Sequence, residues 1–358
     1  MRYFILLLLV SGFFQSSFSF GSVKTNDSDL SGTPSLGVLT VQSRELTADE
    51  TSSAPIDKGM AIEVLRLDHG QRTPVTDLTF EVRDPQRGTL SLKTNSSGVA
   101  FFESCSNNQE ELNAKALLQT NYFNIQNRSQ TYQISIDILC QTKLTLIFHE
   151  DTTGGQALGI WQTAMTAQNK LRESVGLDFW SSQIQINWPS DGDYYGWGSV
   201  NLTQGHHWDV VGHELGHAIY DLANVGSFGG GQHRIDECYS AALALSEGWA
   251  SFFAAWLRVS LDDSDAKFEY LVPRRAPIRF ENVPEDVCRS ERNEWRVTAF
   301  YWDIIDLNND NESMEKSFDS FWNALLNANV RSTRDSYSRL IQAGFNSSLL
   351  DLLWELNF

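Results

Sequence analysis

Hydrophobic and polar residues alternate in short runs between residues 36 and 140. The runs are GMAIEVLRL, TDLTFEVRD, GTLSLKT, GVAFFES, NYFNIQN and TYQISIDILC, and Pro, Gly, Asn and Asp stand between them. A period of two with many β-branched and aromatic residues predicts strands, and the separating residues favour turns. About seven strands in roughly a hundred residues are typical of a β-sandwich. The pattern therefore predicts an all-β module over residues 37–141.

The pattern changes near Lys143. KLTLIFHED predicts a strand, residues 155–175 an amphipathic helix, QIQINW a second strand and YYGWGSVNLT an edge-like third. The rest of the chain has mostly helical patterns. A small sheet followed by helices is an α+β arrangement. We therefore expect a second domain over residues 142–358 and an α+β fold for the whole chain.

The first helix after these strands is expected at DVVGHELGHAIYD, with Asp209 as its N-cap. One face carries an apolar stripe for the core, formed by Val211, Leu215, Ala218, Ile219 and Leu222. His213 and His217 lie one turn apart on the opposite face, where two imidazoles can bind one tetrahedral ion such as zinc. Glu214 lies about 100° round the helix. From there it can take a proton from a water that the metal has acidified.

The next helical segment, CYSAALALSEGWASFFAAWLR, offers a third ligand. Glu247 is the only charged residue between Glu237 and Arg258. A carboxylate in an apolar helix is costly unless a cation compensates it, and zinc would be that cation. Two other interpretations stay open, namely a transmembrane helix and a pair between Glu247 and a buried arginine.

Together the two motifs resemble those of the gluzincin metallopeptidases. His213-Glu214-x-x-His217 is followed by Ser246-Glu247-Gly248-Trp249-Ala250-Ser251, which is similar to the Asn-Glu-Gly-Phe-Ala segment of the aminopeptidase N family. The resemblance covers about residues 143–308. It implies one zinc ion bound by His213, His217 and Glu247, Glu214 as general base, and an edge strand beside the His-Glu-x-x-His helix. KTNSSGVAFFES also resembles transthyretin-like or bacterial immunoglobulin-like modules, which implies a spacer or binding module.

The chain departs from the family pattern in three places. Glu247 follows His217 by 30 positions, with the Gly-rich segment GSFGGGQHR in between, and Ser251 stands where the thermolysin branch has Asp. The Gly-x-Met-Glu-Asn motif of the aminopeptidases is absent from the sequence, which favours an endopeptidase. Glu237 follows His217 by 20 positions, the spacing of the thermolysin branch, and competes with Glu247 for the ligand role. We favour Glu247, because a carboxylate at a helix N-terminus, as expected for Glu237, needs no metal.

Further site residues are expected around these motifs. ERNEWRVTAFYWDIID predicts a helix where gluzincins often keep a transition-state donor. Arg296 and Tyr301 on this helix are candidate donors, while Glu294 and His233 are candidates for support of the ligands. DLNNDNES resembles the start of a calcium loop but lacks the Gly and the distal Glu of an EF-hand, so the sequence does not support a calcium site.

The N-terminus has the features of a secretory signal. Arg2 precedes an apolar run, and Ser17 and Ser19 provide the small residues of a cleavage site. The pattern predicts a signal peptide over residues 1–19 and a flexible leader over residues 20–36. The apolar run is short for a bilayer crossing, so we expect no membrane anchor in the mature form. The protein would then be secreted or periplasmic.

Charge and cysteines agree with that location. The sequence has 45 Asp and Glu against 27 Lys and Arg and no basic run, which argues against a nucleic-acid partner. Four cysteines in an oxidising compartment favour two disulfides, grouped as Cys105–Cys140 and Cys238–Cys288, although four buried thiols remain an alternative.

These features together predict an exported zinc-dependent peptidase that acts on peptides or proteins. The alternative is a secreted binding or adhesion protein with a structural or degenerate zinc site. A structural site would be closed by a fourth protein ligand, whereas a catalytic one keeps a position open.

Overall fold

A computed structural model describes residues 43–84, 87–103, 111–308, 314 and 316–358. Sequence-based predictions that lie wholly or partly outside these residues include the signal peptide, the leader, residues 37–42 of the all-β module, the Cys105–Cys140 disulfide and the calcium-like segment DLNNDNES. All described residues belong to one compact unit, Val41–Phe358.

The first part of this unit consists of strands. They are β1 (Ser43–Leu46), β2 (Glu50–Pro55), β3 (Met60–Asp68), β4 (Gln71–Pro74), β5 (Thr79–Asp84), β6 (Gly88–Lys93), β7 (Val99–Phe102), β8 (Glu111–Leu117), β9 (Phe123–Asn127), β10 (Gln130–Leu139) and β11 (Thr142–His149). Their burial alternates where one face meets the core, as in β5, where Phe80 and Val82 are buried between exposed neighbours.

Helices predominate in the second part. Its elements are α1 (Thr153–Ser174), β12 (Ile184–Asn187), β13 (Tyr194–Gly196), β14 (Ser199–Asn201), α2 (Trp208–Leu222), α3 (Ala241–Arg258), β15 (Lys267–Phe268), β16 (Ile278–Arg279), α4 (Glu294–Ile305), α5 (Phe318–Leu325), α6 (Thr333–Gln342) and α7 (Ser347–Asn357). The predicted helix over residues 155–175 and the predicted strand QIQINW correspond to α1 and β12. Strands followed by helices make the fold α+β, as predicted.

In the described ranges the strands form two large sheets and one small one. The largest sheet has the order β13-β14-β12-β9-β10-β8-β5-β6, with β1 paired to β10. The second has the order β2-β11-β3-β4, with β7 paired to β3, and β15 pairs with β16. The buried faces of both large sheets belong to one hydrophobic cluster, which also includes Leu215 of α2 and Trp249 of α3.

The expected boundary between residues 141 and 142 does not separate two compact units. β9 lies before it and pairs in parallel with β12, so that Phe123 lies opposite Ile184. β11 lies after it and pairs in parallel with β3. The main-chain groups of strands on one side of the boundary are thus satisfied by strands on the other side. The β-rich segment is therefore continuous with the sheet that supports the helices.

The fold leaves β13 at one end of the largest sheet, next to α2. The segment YYGWGSVNLT, expected to be one edge-like strand, is a hairpin of β13 and β14. Its turn lies at Trp197 and Gly198, which both have positive φ.

None of the helices within the described ranges has the length and apolar character that a membrane crossing requires, and this includes α3.

Candidate metal centre

The helix α2 presents His213 and His217 toward α3. Val211, Leu215, Ala218 and Ile219 of the predicted stripe are buried. His213, Glu214 and His217 are also largely buried, so both faces of α2 are covered. The amphipathic pattern thus places the core-facing side correctly, while the polar side faces an enclosed site.

The helix α3 carries Glu247 near its middle. The Ser240 side chain caps its N-terminus by accepting a hydrogen bond from the Leu243 backbone N–H. Just before this cap, Cys238 forms the predicted disulfide with Cys288, with a Cα–Cα distance of 5.7 Å. The disulfide and the cap together fix the start of the helix that holds Glu247.

Two glycines allow the three central helices to approach closely. A methyl group at Gly216 of α2 would lie 2.8 Å from the backbone of Ala250 in α3. A methyl group at Gly248 of α3 would lie 2.5 Å from the Val297 side chain in α4. Only glycine fits at these crossings. The close packing brings the side chains of α2, α3 and α4 to one site.

Three ligand-type atoms converge between α2 and α3. The Nε2 atoms of His213 and His217 are 3.2 Å apart, and each lies 3.1 Å from Glu247 Oε2. Tetrahedral ligands about 2.05 Å from a zinc ion are separated by about 3.3 Å. The triangle therefore has the size that a small tetrahedral cation requires.

The chemistry of the donors also fits a metal. His213 Nδ1 lies 3.0 Å from Ser251 Oγ, and a hydrogen bond donated there leaves Nε2 with a free lone pair. His217 Nδ1 is buried and has no hydrogen-bond partner within the described residues. Burial would raise the pKa of Glu247, but the adjacent imidazoles of His217 and His213 lower it well below its usual range. A carboxylate and two imidazoles directed at one point can hold a metal cation.

Glu214 lies beside this triad in a buried position. Burial raises the pKa of Glu214 to about 7, with a further increase from the Glu247 charge, while His213 and a hydrogen bond from the Tyr195 backbone oppose the increase. Tyr195 belongs to β13, so the end strand of the sheet contacts the carboxyl group of α2. No sequence pattern indicates this contact.

A cavity of about 610 Å³ opens above the triad. Glu214, Glu247, His213 and His217 line it together with residues of β13, the Gly-rich segment 228–231 and the segment 270–273. The triad and the neighbouring acid are therefore accessible to a ligand of peptide size.

Asp209 is not the N-cap of α2, in contrast to the expectation from the sequence. His207 occupies the capping position, and Asp209 lies inside the first turn, fully buried. Its Oδ2 accepts hydrogen bonds from the backbone N–H groups of Glu269, Tyr270 and Leu271, at 2.8, 2.7 and 3.2 Å. Asp209 thus holds one wall of the cavity in place. The three donors lie 60 residues or more away in the sequence, which is why local capping rules miss them.

His233 and Glu294 also lie at the cavity, as expected for residues that support the ligands. His233 Nε2 lies 3.3 Å from Glu294 Oε2 and 3.8 Å from Glu247 Oε2. Burial, and then the charge of Glu247, raise the pKa of Glu294 well above its usual value. His233 of the Gly-rich loop and Glu294 at the start of α4 therefore both lie next to the triad.

Arg296 and Tyr301 do not reach the cavity, which corrects their assignment as transition-state donors. The Arg296 guanidinium donates to the backbone carbonyl groups of Cys288, Val287 and Asn357, at 3.0 Å each. The Tyr301 hydroxyl donates to Ser336 Oγ at 2.7 Å within the core. Both side chains stabilise the packing of α4, because their donors are used by internal partners.

Glu237 lies away from the triad. It precedes α3, its side chain is 51% exposed, and it pairs with Arg234 at 3.1 Å. It also accepts a hydrogen bond from the Tyr239 hydroxyl. Among the described residues, the ion pairs of Glu247 are with histidines and not with an arginine. The arrangement therefore brings Glu247, and not Glu237, to His213 and His217.

No protein-family model matches the chain, and no curated protein is significantly similar to it in sequence. The chemistry of the site is therefore inferred from its own side chains.

The contact between α2 and α3 leads to a stability prediction. Gly216→Ala is expected to lower the free energy of unfolding by about 1–3 kcal/mol, because the new methyl group must push α3 away. The same displacement should weaken metal binding, since Glu247 moves with α3. Chemical denaturation with and without metal measures both effects. The control is Gly192→Ala, whose methyl group would contact only the Tyr194 ring at 3.5 Å. Equal unfolding midpoints for the two variants would contradict the tight crossing.

Proposed function

We propose that this protein is a zinc-dependent peptidase of the gluzincin type, exported from the cell, that cleaves within peptide chains. His213, His217 and Glu247 would hold the zinc ion, and Glu214 would be the general base. The observation that carries the proposal is the 3.1–3.2 Å triangle of two imidazole nitrogens and one carboxylate oxygen next to a buried acid. Three protein ligands at an open cavity are typical of catalytic zinc sites, whereas structural sites have four.

Zinc bound there would polarise a substrate carbonyl group and lower the pKa of a water molecule. The protein's own groups would do the rest. Glu214 accepts the proton of the attacking water and passes it to the leaving nitrogen. Ser251 Oγ can accept a hydrogen bond from His213 Nδ1 and so orient the imidazole ring.

The surroundings of the triad support a peptide as substrate. β13 is at the end of its sheet and lines the cavity through Tyr194 and Tyr195. A strand at a sheet edge can pair with an extended peptide through main-chain hydrogen bonds. The cavity is also lined by the exposed aromatic side chain of Phe228, which can contact apolar side chains of the substrate.

The disulfide supports the location. Cys238–Cys288 joins two segments 50 residues apart in the sequence next to the ligand-bearing helix. Disulfides of this kind persist in oxidising compartments. In an exported enzyme this disulfide would therefore stay oxidised and hold the start of α3 in place.

Digestion of a peptide mixture tests the proposed function. The purified protein should cleave internal bonds of unrelated peptides with blocked termini, and mass spectrometry identifies the products. A chelator should stop cleavage and added zinc should restore it. Peptides with acidic side chains next to the cleaved bond should be poor substrates, because the described part of the cavity lining contains Asp193, Glu214, Glu247 and Glu294 but no Lys or Arg. A protein that binds zinc stoichiometrically yet cleaves no peptide would instead be the binding protein with a structural zinc site.

A further inference from the structure

A second group of ligand-type atoms lies next to the triad. His233, Glu247 and Glu294 each offer one atom, and these atoms lie within 4.8 Å of one another. His233 Nε2 is 3.3 Å from Glu294 Oε2 and 3.8 Å from Glu247 Oε2. Glu247 is the only residue that this group shares with the triad of His213 and His217. The two groups are thus adjacent and joined by one carboxylate.

Glu294 is placed as a ligand would be. It is 7% exposed, and its Oε2 accepts no hydrogen bond among the described residues. It is the first residue of α4, where the helix dipole favours the ionised carboxylate. The packing of Gly248 against α4 holds it there, since even a methyl group at Gly248 would meet the Glu294 backbone at 3.0 Å. A buried carboxylate oxygen without a hydrogen bond requires a cation or a proton.

The charges of the cavity favour a cation. Among the residues that the structure describes, four carboxylates line it, those of Asp193, Glu214, Glu247 and Glu294, and neither Lys nor Arg does. A divalent ion in the triad faces Glu247 directly, and a second divalent ion beside Glu294 would stabilise the ionised form of that buried carboxylate.

From this geometry we infer that the protein has a second divalent-cation site, formed by His233 and Glu294 and bridged to the first by Glu247. Imidazole and carboxylate ligands suit zinc or manganese. Two ions that share one carboxylate are typically about 3.5–4 Å apart. Ligation of His233 would also tie the Gly-rich loop, residues 226–234, to the start of α4. The inference rests on the proposed triad site for its bridging ligand.

Zinc stoichiometry tests the second site. Metal-free full-length protein is equilibrated with zinc across a dialysis membrane, and bound zinc per chain is counted by mass spectrometry. All variants carry His69→Asn, because Asp68, His69 and Glu150 form a separate group of ligand-type atoms. The expected result is two zinc ions per chain. Glu294→Gln and His233→Asn should each bind one, while Glu237→Gln, which changes an exposed carboxylate, should bind two.

The possible outcomes are distinct. One zinc ion per chain at saturation, or two in both Glu294→Gln and His233→Asn, would overturn the second site and leave the triad intact. No bound zinc at all would overturn the triad and the proposed function as well. Thermal melts of the metal-free variants show whether each is folded. His233 lies in an exposed loop, so its variant should fold even if Glu294→Gln does not.

Discussion

Glu214→Gln is expected to lower the rate of peptide hydrolysis by about 10³-fold or more while zinc affinity stays close to that of the wild type. The amide has the size of the carboxylate but cannot accept the proton of the attacking water. Glu214 lies beside the triad and contributes none of its three ligand atoms, so the metal keeps all three protein ligands in the variant. Steady-state hydrolysis of a fluorogenic peptide and a zinc titration measure the two quantities.

The matched comparison for this variant is His213→Ala, which removes a ligand. It should lose zinc and activity together. If Glu214→Gln lost zinc as readily as His213→Ala, Glu214 would be a ligand and the assignment of the base would be wrong. If it kept both zinc and activity, another group would be the base.

Glu247→Gln is expected to weaken zinc binding by more than about 100-fold, which exceeds the usual effect of losing an outer hydrogen-bond partner. The neutral amide removes the negative charge that faces His213 and His217 at 3.1 Å. Glu237→Gln is the matched control, because it makes the same chemical change at an exposed position before α3. It should leave zinc affinity and hydrolysis unchanged.

The same pair of variants separates two branches of the family that the sequence resembles. If Glu237→Gln lost zinc while Glu247→Gln retained it, the ligand spacing would be that of the thermolysin branch. Competition with a chromophoric zinc chelator gives both affinities under identical conditions.

The elements that carry the site were predictable from local patterns. The apolar stripe from Val211 to Ile219 fixes the core-facing side of α2, and two histidines at i and i+4 must then share the other side. Glu247 stands alone as a charge in an apolar helix, a pattern with few structural explanations. These features depend on residues within one or two helical turns.

Long-range contacts were not predictable in this way. The parallel pairing of β9 with β12 joins segments about 60 residues apart, and no local pattern encodes it. Asp209 has the residue type of an N-cap, yet its partners are backbone groups of residues 269–271. Arg296 and Tyr301 follow the ligands on a suitable helix, but their side chains point to partners in the core. In each case the chain meets a distant partner that satisfies the polar group.

Anomalous X-ray scattering at the zinc absorption edge, from crystals of the zinc-loaded protein, locates the metal relative to its ligands. The expected result is a peak about 2.0–2.2 Å from His213 Nε2, His217 Nε2 and Glu247 Oε2, with no fourth protein ligand on the side of the cavity. The absence of a zinc peak at these three atoms, or a zinc ion there that is closed off by a fourth protein side chain, would contradict a catalytic zinc site in this protein.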